Sequence, residues 1–381
     1  MRIGIDARLW NETGVGRYIR NLVWNLQELD KVNTYVLFVD KRIKKQELRI
    51  KMDWTVIETD IRWHSVKEQL KFAKVLEKEH LDLVHFPYFS VPILYNRPFV
   101  ITIHDLIINH YPTGKASTLP SPIYYIKLAG YKFVIKQAAQ KAQHVIAVSE
   151  ATKSEIEKHL QISSDKISVT YEGVEPSLRA QQSKPQKEIA TVISWLRNDD
   201  YFLYVGNAYP HKNLERLIEA FKLINNDYPD SKLVFIGKED YFYKRLKEKV
   251  TSLGLENNIL FTGFVSEDEL DVYYQNAIAT IVPSLMEGFG LPGLEAMKRN
   301  CLVISSDIPS LREIYHEAAV YFDPLAPASM HATILEVLEN KKKFQSYKEK
   351  GQKRVAFFSW RKMAEQTLKI YESCVGLRSN Q

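Results

Sequence analysis

The chain has two cysteines in 381 residues, Cys301 and Cys374, too few for a disulfide framework and without the spacing of a thiolate metal site. No run of about 18 apolar residues occurs, so no helix spanning a membrane is expected. The opening MRIGIDARLW is interrupted by Asp6 and Arg8 and reads as a strand, not as the apolar core of a signal peptide. A complete Gly-x-Gly-x-x-Gly is missing, and so is a Walker-type Gly-Lys-Ser/Thr, which argues against a dehydrogenase and a P-loop NTPase. No fixed-period repeat is visible, which argues against a solenoid. No metal, cofactor or nucleic-acid motif emerges, and the cytoplasm is the default location.

What is present is the composition of a soluble globular protein, 45% hydrophobic and 26% charged, long enough for two domains with separate cores. The net charge of +6 is uneven: residues 1–190 carry 28 Lys+Arg against 21 Asp+Glu, and residues 191–381 carry 24 against 25. Much of the excess lies in KRIKKQELRIK (41–51). Such a run is ordinarily a solvated face, and it is also a candidate for contact with an anionic membrane or a phosphate-bearing acceptor.

Apolar strand-like runs alternate with helical patterns. RIGID (2–6), TYVLFV (34–39), DLVHF (82–86), FVITIH (99–104) and HVIAVS (144–149) form a first series, with helical stretches at 16–29, 65–79 and 123–141. The polar RAQQSKPQKE (179–188) reads as a linker. YFLYVG (201–206), KLVFIG (232–237), NILFTG (258–263), AIATIVP (277–283) and CLVISS (301–306) form a second series. Alternation of this kind predicts an α/β fold with two parallel sheets, each covered by helices. Ligands of such sheets sit outside the carboxyl ends of the strands, so the expected site is a cleft between the two domains.

Four loops at strand ends carry polar groups. In PSLMEGFGLPGLEAM (283–297), the loop MEGFG precedes a helix that starts at a proline. Its glycines let backbone N–H groups approach an anion, and the helix dipole adds to the attraction. Glu287 can accept hydroxyl hydrogen bonds from a sugar and Glu295 from a ribose diol; read blandly, Glu295 in the first turn only complements the dipole. In VGNAYPHKNLERLIEAF (205–221), Lys212 at a helix start opposes the dipole preference, which an anionic ligand would explain. Asn213 reads as the N-cap of that helix. TGVGRY (13–18) is a Gly-rich turn, either a phosphate loop or a tight turn with Arg17 in solvent. ITIHDL (101–106) puts the polar pair His104 and Asp105 at a strand end, exposed to the cleft. SEDELD (266–271) is not a metal site, because Ser266 and Glu269 have capping-box spacing.

Together these stretches resemble the retaining family-4 glycosyltransferases, whose GT-B architecture has two Rossmann-like parallel-sheet domains facing a central cleft. The similarity covers essentially the whole chain: TGVGRY, the IHD strand end, IAVSEATKSEI (146–156), VTYEGVE, VGNAYPHKNL, FTGFVSEDEL, and the Glu-x7-Glu element of PSLMEGFGLPGLEAM. FSWRKMAEQTLKIYE (358–372) is similar to the last helix of that family, which crosses back to the first domain. The resemblance implies an acceptor domain over 1–190, joined by a C-terminal helix at about 359–381, and a donor domain over 191–358. It implies that Glu287 bonds donor-sugar hydroxyls while Gly288, Phe289, Gly290 and Leu291 line the sugar-diphosphate. Glu295 would bind the ribose, Lys212 the diphosphate with Asn207 nearby, and Val265 the base. Gly16 would approach the donor phosphate, and His104 would lie beside the anomeric centre. Gly14, Arg17 and Asp105 fall on the acceptor side. One departure is that Asn207 and His211 stand where members often carry Arg, which shifts diphosphate charge onto Lys212, helix dipoles and Arg17.

The implied reaction moves a hexosyl group, mannosyl as the first guess, from a nucleotide diphosphate sugar to a glycan or lipid-linked hydroxyl. It retains the anomeric configuration and needs neither metal nor cofactor. The donor-binding and catalytic roles meet in His104, Lys212 and Glu287. A sugar-nucleotide epimerase and a catalytically silent sugar-nucleotide binder are the other readings. The inner face of the cell membrane is a candidate location because of the basic first half.

Overall fold

The computed structural model describes residues 1–111, 121–174 and 201–376; the expected linker at 179–188 lies outside them. The described chain divides into two compact units, one of residues 1–109, 121–174 and 358–376, the other of residues 201–357.

Among the described residues, the first unit has a seven-stranded sheet in the order β3-β2-β1-β4-β5-β6-β7. Its strands are β1 (Arg2–Asp6), β2 (Thr34–Asp40), β3 (Thr55–Thr59), β4 (Leu83–Phe86), β5 (Phe99–Ile103), β6 (His144–Ala147) and β7 (Ile167–Val169). The second unit has six strands in the order β10-β9-β8-β11-β12-β13. They are β8 (Tyr201–Val205), β9 (Lys232–Ile236), β10 (Ile259–Gly263), β11 (Ala279–Val282), β12 (Leu302–Ser306) and β13 (Ala319–Phe322). Every pairing is parallel. The inner strands are continuous apolar runs because helices cover both of their faces; Ile3, Ile5, Val100, Ile101, Phe202 and Leu203 are fully buried.

Both strands absent from the sequence reading, β3 and β13, are sheet edges. Each leaves residues half-buried or exposed, so TVIET and AVYF lack the long apolar run that marks an inner strand.

In each sheet the strand order reverses once, between β1 and β4 in the first unit and between β8 and β11 in the second. The loops at the carboxyl ends of these two pairs are the natural ligand positions of such sheets.

The glycines of TGVGRY are helical and do not form the expected turn. The helix Gly14–Leu29 begins at the first of them. A Cβ on Gly16 would lie 2.6 Å from the Trp10 carbonyl oxygen and 2.8 Å from that of Leu9, so the glycine lets the chain after β1 cross the first helical turn. The helix Trp360–Gly376 packs in this unit: Tyr371 hydroxyl contacts His85 Nδ1 at 2.6 Å, and Trp360 meets Tyr18 edge-on at 6.5 Å.

Candidate functional site

In the second unit, β8 and β11 are neighbours, so the loops that follow them are adjacent although 75 residues separate Lys212 from Glu287. Lys212 Nζ sits 2.5 Å from Glu287 Oε1, and Ser284 Oγ donates to the same oxygen at 2.7 Å. Both side chains of the ion pair are largely buried. Burial pushes the Glu287 carboxyl up, but Lys212, His211 and the hydrogen bonds from Lys212 and Ser284 outweigh it and hold the group below its ordinary range. His211 is driven the other way: burial first, then the Lys212 charge, lowers its pKa to about 4. It is therefore neutral at physiological pH and does not replace the cation that family members often carry there.

Backbone contacts lock the two loops together. Leu285 N–H donates to the His211 carbonyl at 2.7 Å. The Asn213 amide donates to the Pro283 and Pro324 carbonyls at 3.0 and 2.9 Å. Asn213 is thus not the side-chain cap expected for the helix Leu214–Asp227. It takes a left-handed conformation at the helix start, and its amide is spent on the neighbouring loops. Lys212 ends a 3-10 turn over Pro210–Lys212, so its charge is set before the helix and is balanced by Glu287.

The glycines of EGFGLPG have a second task. Gly290 has φ +91°, and a Cβ on Gly293 would stand 2.3 Å from the Tyr315 ring. Tyr315 hydroxyl donates to the Gly290 carbonyl at 2.5 Å. Small residues therefore admit a buried tyrosine under the loop, a packing demand that the motif alone does not reveal. Gly288 and Phe289 are buried, and Leu291 opens the helix Leu291–Lys298. Glu295 is the fifth residue of that helix, past the first turn where it was expected. It is buried and accepts from Tyr274 hydroxyl at 3.3 Å. Asn207, half-buried, follows β8, with its carbonyl taking a 2.5 Å bond from Tyr204 hydroxyl. Val265 lies between β10 and the capping box of Ser266 and Glu269, which forms as its spacing predicts.

In the first unit His104 is buried, not exposed. Its Nδ1 faces Glu172 Oε1 and its Nε2 faces the Pro87 carbonyl, both at 3.0 Å, while Tyr18 packs edge-on at 4.9 Å. A carbonyl only accepts, so Nε2 donates to it. The contact at Nδ1 then needs a proton from the imidazole or from the carboxyl, so His104 and Glu172 hold one proton more than a neutral imidazole beside a carboxylate. Asp105 accepts from Ile107 N–H at 3.0 Å and opens the short helix Ile107–His110. Gly14 is exposed at the start of its helix, and Arg17 lies one turn in, half-buried.

Sequence reasoning missed Glu172, although it lies inside the quoted VTYEGVE, and Tyr315. It also used Asp6 and Arg8 only to exclude a signal peptide. Arg8 follows β1, buried between Asp6 Oδ2 at 2.6 Å and Glu68 Oε1 at 2.5 Å, with Ser90 donating to Glu68. An Arg two residues after a strand that ends in Asp was the available signal. Its partner Glu68 lies 60 residues away and leaves no local trace.

Comparison with known proteins gives the same class. Residues 186–354 match the family model of glycosyl transferases group 1, and residues 13–178 match Glycosyltransferase Family 4. The chain is 31% identical to the O-antigen chain mannosyltransferase RfbU of Salmonella typhimurium over 72% of this chain and 70% of that one. It is 26% identical to O-antigen chain mannosyltransferase B of Escherichia coli over 77% and 75% of the two. Among solved structures, sucrose-phosphate synthase from Thermosynechococcus elongatus superposes with a TM-score of 0.79 at 20% identity, covering 99% of this chain and all of that one. Anabaena HepE, solved with UDP and glucose, superposes at 0.73 and 18% identity, covering 98% and 100%. Those two likenesses bear on the fold, which is GT-B. With a switch-point ion pair in one sheet, a ligated histidine in the other, and a relative at this identity across most of both chains, the protein belongs to the family-4 glycosyltransferases and is a hexosyltransferase.

Proposed function

We propose that this transferase moves a mannosyl group from a nucleotide diphosphate sugar, guanosine diphosphate as the working base, to a hydroxyl of a glycan or lipid-linked acceptor. The named activities of its relatives support the sugar. One observation carries the site: a lysine and a glutamate from loops 75 residues apart form a buried ion pair at the switch point. A donor would exchange that pairing, with its diphosphate taking Lys212 and its sugar hydroxyls taking Glu287. The leaving diphosphate gains charge as the glycosidic bond breaks, and a cation already in place stabilises it without reorganisation. Because His211 is neutral and Asn207 uncharged, Lys212 is the main side-chain cation of these two loops in that role.

In this reading Gly288, Phe289, Gly290 and Leu291 line the sugar-diphosphate, Glu295 takes the ribose and Val265 the base. Gly16 and His104 serve the phosphate and the anomeric side, and Gly14, Arg17 and Asp105 face the acceptor. Glu287 is occupied by hydroxyls, so no carboxylate is free to act as nucleophile. Retention then follows from front-face substitution, in which the leaving phosphate oxygen takes the acceptor's proton as the new bond forms, without metal. Residues 1–190 with 359–381 form the acceptor half and 191–358 the donor half. The enzyme works in the cytoplasm against the inner membrane face, where a lipid-linked acceptor is presented.

The test is a panel of nucleotide sugars, each with and without a lipid-linked oligosaccharide, read by nucleoside diphosphate release and by the anomeric configuration of the product. Acceptor-dependent release from a mannose donor is expected. Acceptor-independent conversion of the donor sugar would replace transfer with epimerisation.

A further inference from the structure

The helix Ser121–Lys141 is apolar on two faces. Its inner face packs into the first unit: Ile135, Ala138 and Ala139 are in the core, and Tyr131 meets Phe89 edge-on at 4.7 Å. The face turned away from that core should be polar in a water-exposed helix. Its centre is instead Ile126, Ala129, Gly130 and Phe133, all exposed and spaced i, i+3, i+4 and i+7. Ile126 is 73% exposed, Phe133 56%, and Tyr125 and Ile123 beside them 65% and 47%. Exposed Lys127 and Lys132 flank this stripe, and the 21-residue helix contains no Asp or Glu.

We infer that this face lies on an anionic lipid surface, with Ile126 and Phe133 entering the acyl boundary and Lys127 and Lys132 reaching the headgroups. The inference deepens the membrane half of the proposal above and moves it to a different element. The basic run 41–51 is a weaker candidate, because Arg42, Lys45 and Lys51 pair with Asp40, Glu58 and Glu28. An apolar stripe edged by lysines and a tyrosine, with no acidic residue, fits a bilayer interface, where apolar depth and negative headgroups occur together. No described helix is long and apolar enough to cross a membrane, so the contact is peripheral. The helix also sits at the sheet edge that carries His104. Tyr131 touches Phe89 and His64, from the loops after β4 and β3, at the carboxyl ends of the strands. A lipid-anchored acceptor held by this face would therefore stand on the side of the unit where His104 lies.

The experiment is vesicle flotation of the full chain without any sugar, using phosphatidylcholine vesicles with and without phosphatidylglycerol. Wild type should float with the anionic vesicles and much less with the neutral ones. A double variant Ile126→Asp with Phe133→Asp should partition about tenfold less, and Lys127→Glu with Lys132→Glu should weaken only the anionic preference. Both double variants should keep wild-type melting and donor turnover, because these side chains are exposed and outside the proposed site. Equal flotation of the Ile126/Phe133 variant, or no flotation of wild type, overturns the inference. So does a wild-type dimer that the same variant splits, which would make the stripe a protein seam. Flotation is read without substrate, so failure of the transfer assay leaves this result standing, and the reverse also holds.

Discussion

The two sheets obey one topological rule and prepare their polar edges differently. At the switch point of the second unit, two opposite charges from distant loops face each other and are paired only to one another and to Ser284. At the carboxyl edge of the first, His104 is bonded at both ring nitrogens by its own unit, and Arg8 is locked between two carboxylates. The first arrangement can exchange partners with a charged, hydroxyl-bearing ligand at little structural cost. The second is complete without a ligand and serves to hold groups in place. Donor chemistry thus belongs to the exchangeable pair, and the histidine side is a preset wall.

The sharpest way to break this contrast is to remove the exchangeable pair. Lys212→Ala and Glu287→Ala should each lower transfer about a hundredfold. Because the two act as a unit, the double variant should be little worse than either single one. Fully additive losses in steady-state kinetics would mean that they act separately.

Acid should loosen both units through buried histidines. His211 protonates only near pH 4 in the fold and His85 near 3, each held down first by burial, while an unfolded imidazole protonates near 6.5. Between those values the unfolded chain binds more protons, so stability falls as pH falls. Each histidine should contribute a loss of about 2 kcal/mol between pH 7 and pH 5. Glu287, with its lowered pKa, loses its contribution only below that window. Urea titrations at the two pH values check this, and His211→Asn should flatten the dependence; an unchanged slope would show that His211 is not the group responsible.

On the histidine side, Glu172→Ala should lower transfer about tenfold by freeing the His104 ring, a loss typical of one supporting residue. Glu172→Gln keeps a hydrogen-bonding partner and should recover part of it. Nitrogen-resolved NMR of the histidines should show the His104 proton state change in both variants; wild-type turnover in Glu172→Ala would remove the residue from any positioning role. The smallest effect is expected at Ser266→Ala, which breaks the capping box and should cost about 1 kcal/mol of stability with activity intact. A thermal melt and the same transfer assay measure both parts.

Most inner strands were legible because a strand buried on both faces must be a short apolar run between polar turns. β3 and β13 escaped because edge strands carry half-exposed residues. Lys212 and Glu287 were legible as unusual charges at strand ends. Their pairing was not, since nothing local to either loop records that β8 lies beside β11. Glu172, Glu68 and Tyr315 were hidden for the same reason: each is an ordinary residue locally and is distinguished only by a distant partner.

The sequence by itself determined the class of fold, two parallel sheets with helical crossovers, because hydrophobic periodicity and turn residues act over a few positions. It also determined the capping box at Ser266, whose two hydrogen bonds span three residues. The tertiary structure alone decided that Gly14 and Gly16 begin a helix, that Asn213 ties loops together, and that His104 is enclosed. It also decided that Ile126 and Phe133 face outward. These outcomes depend on which strands become neighbours and which helix faces they cover, and long-range packing settles them by burying the polar groups that find partners and leaving the rest to solvent or lipid.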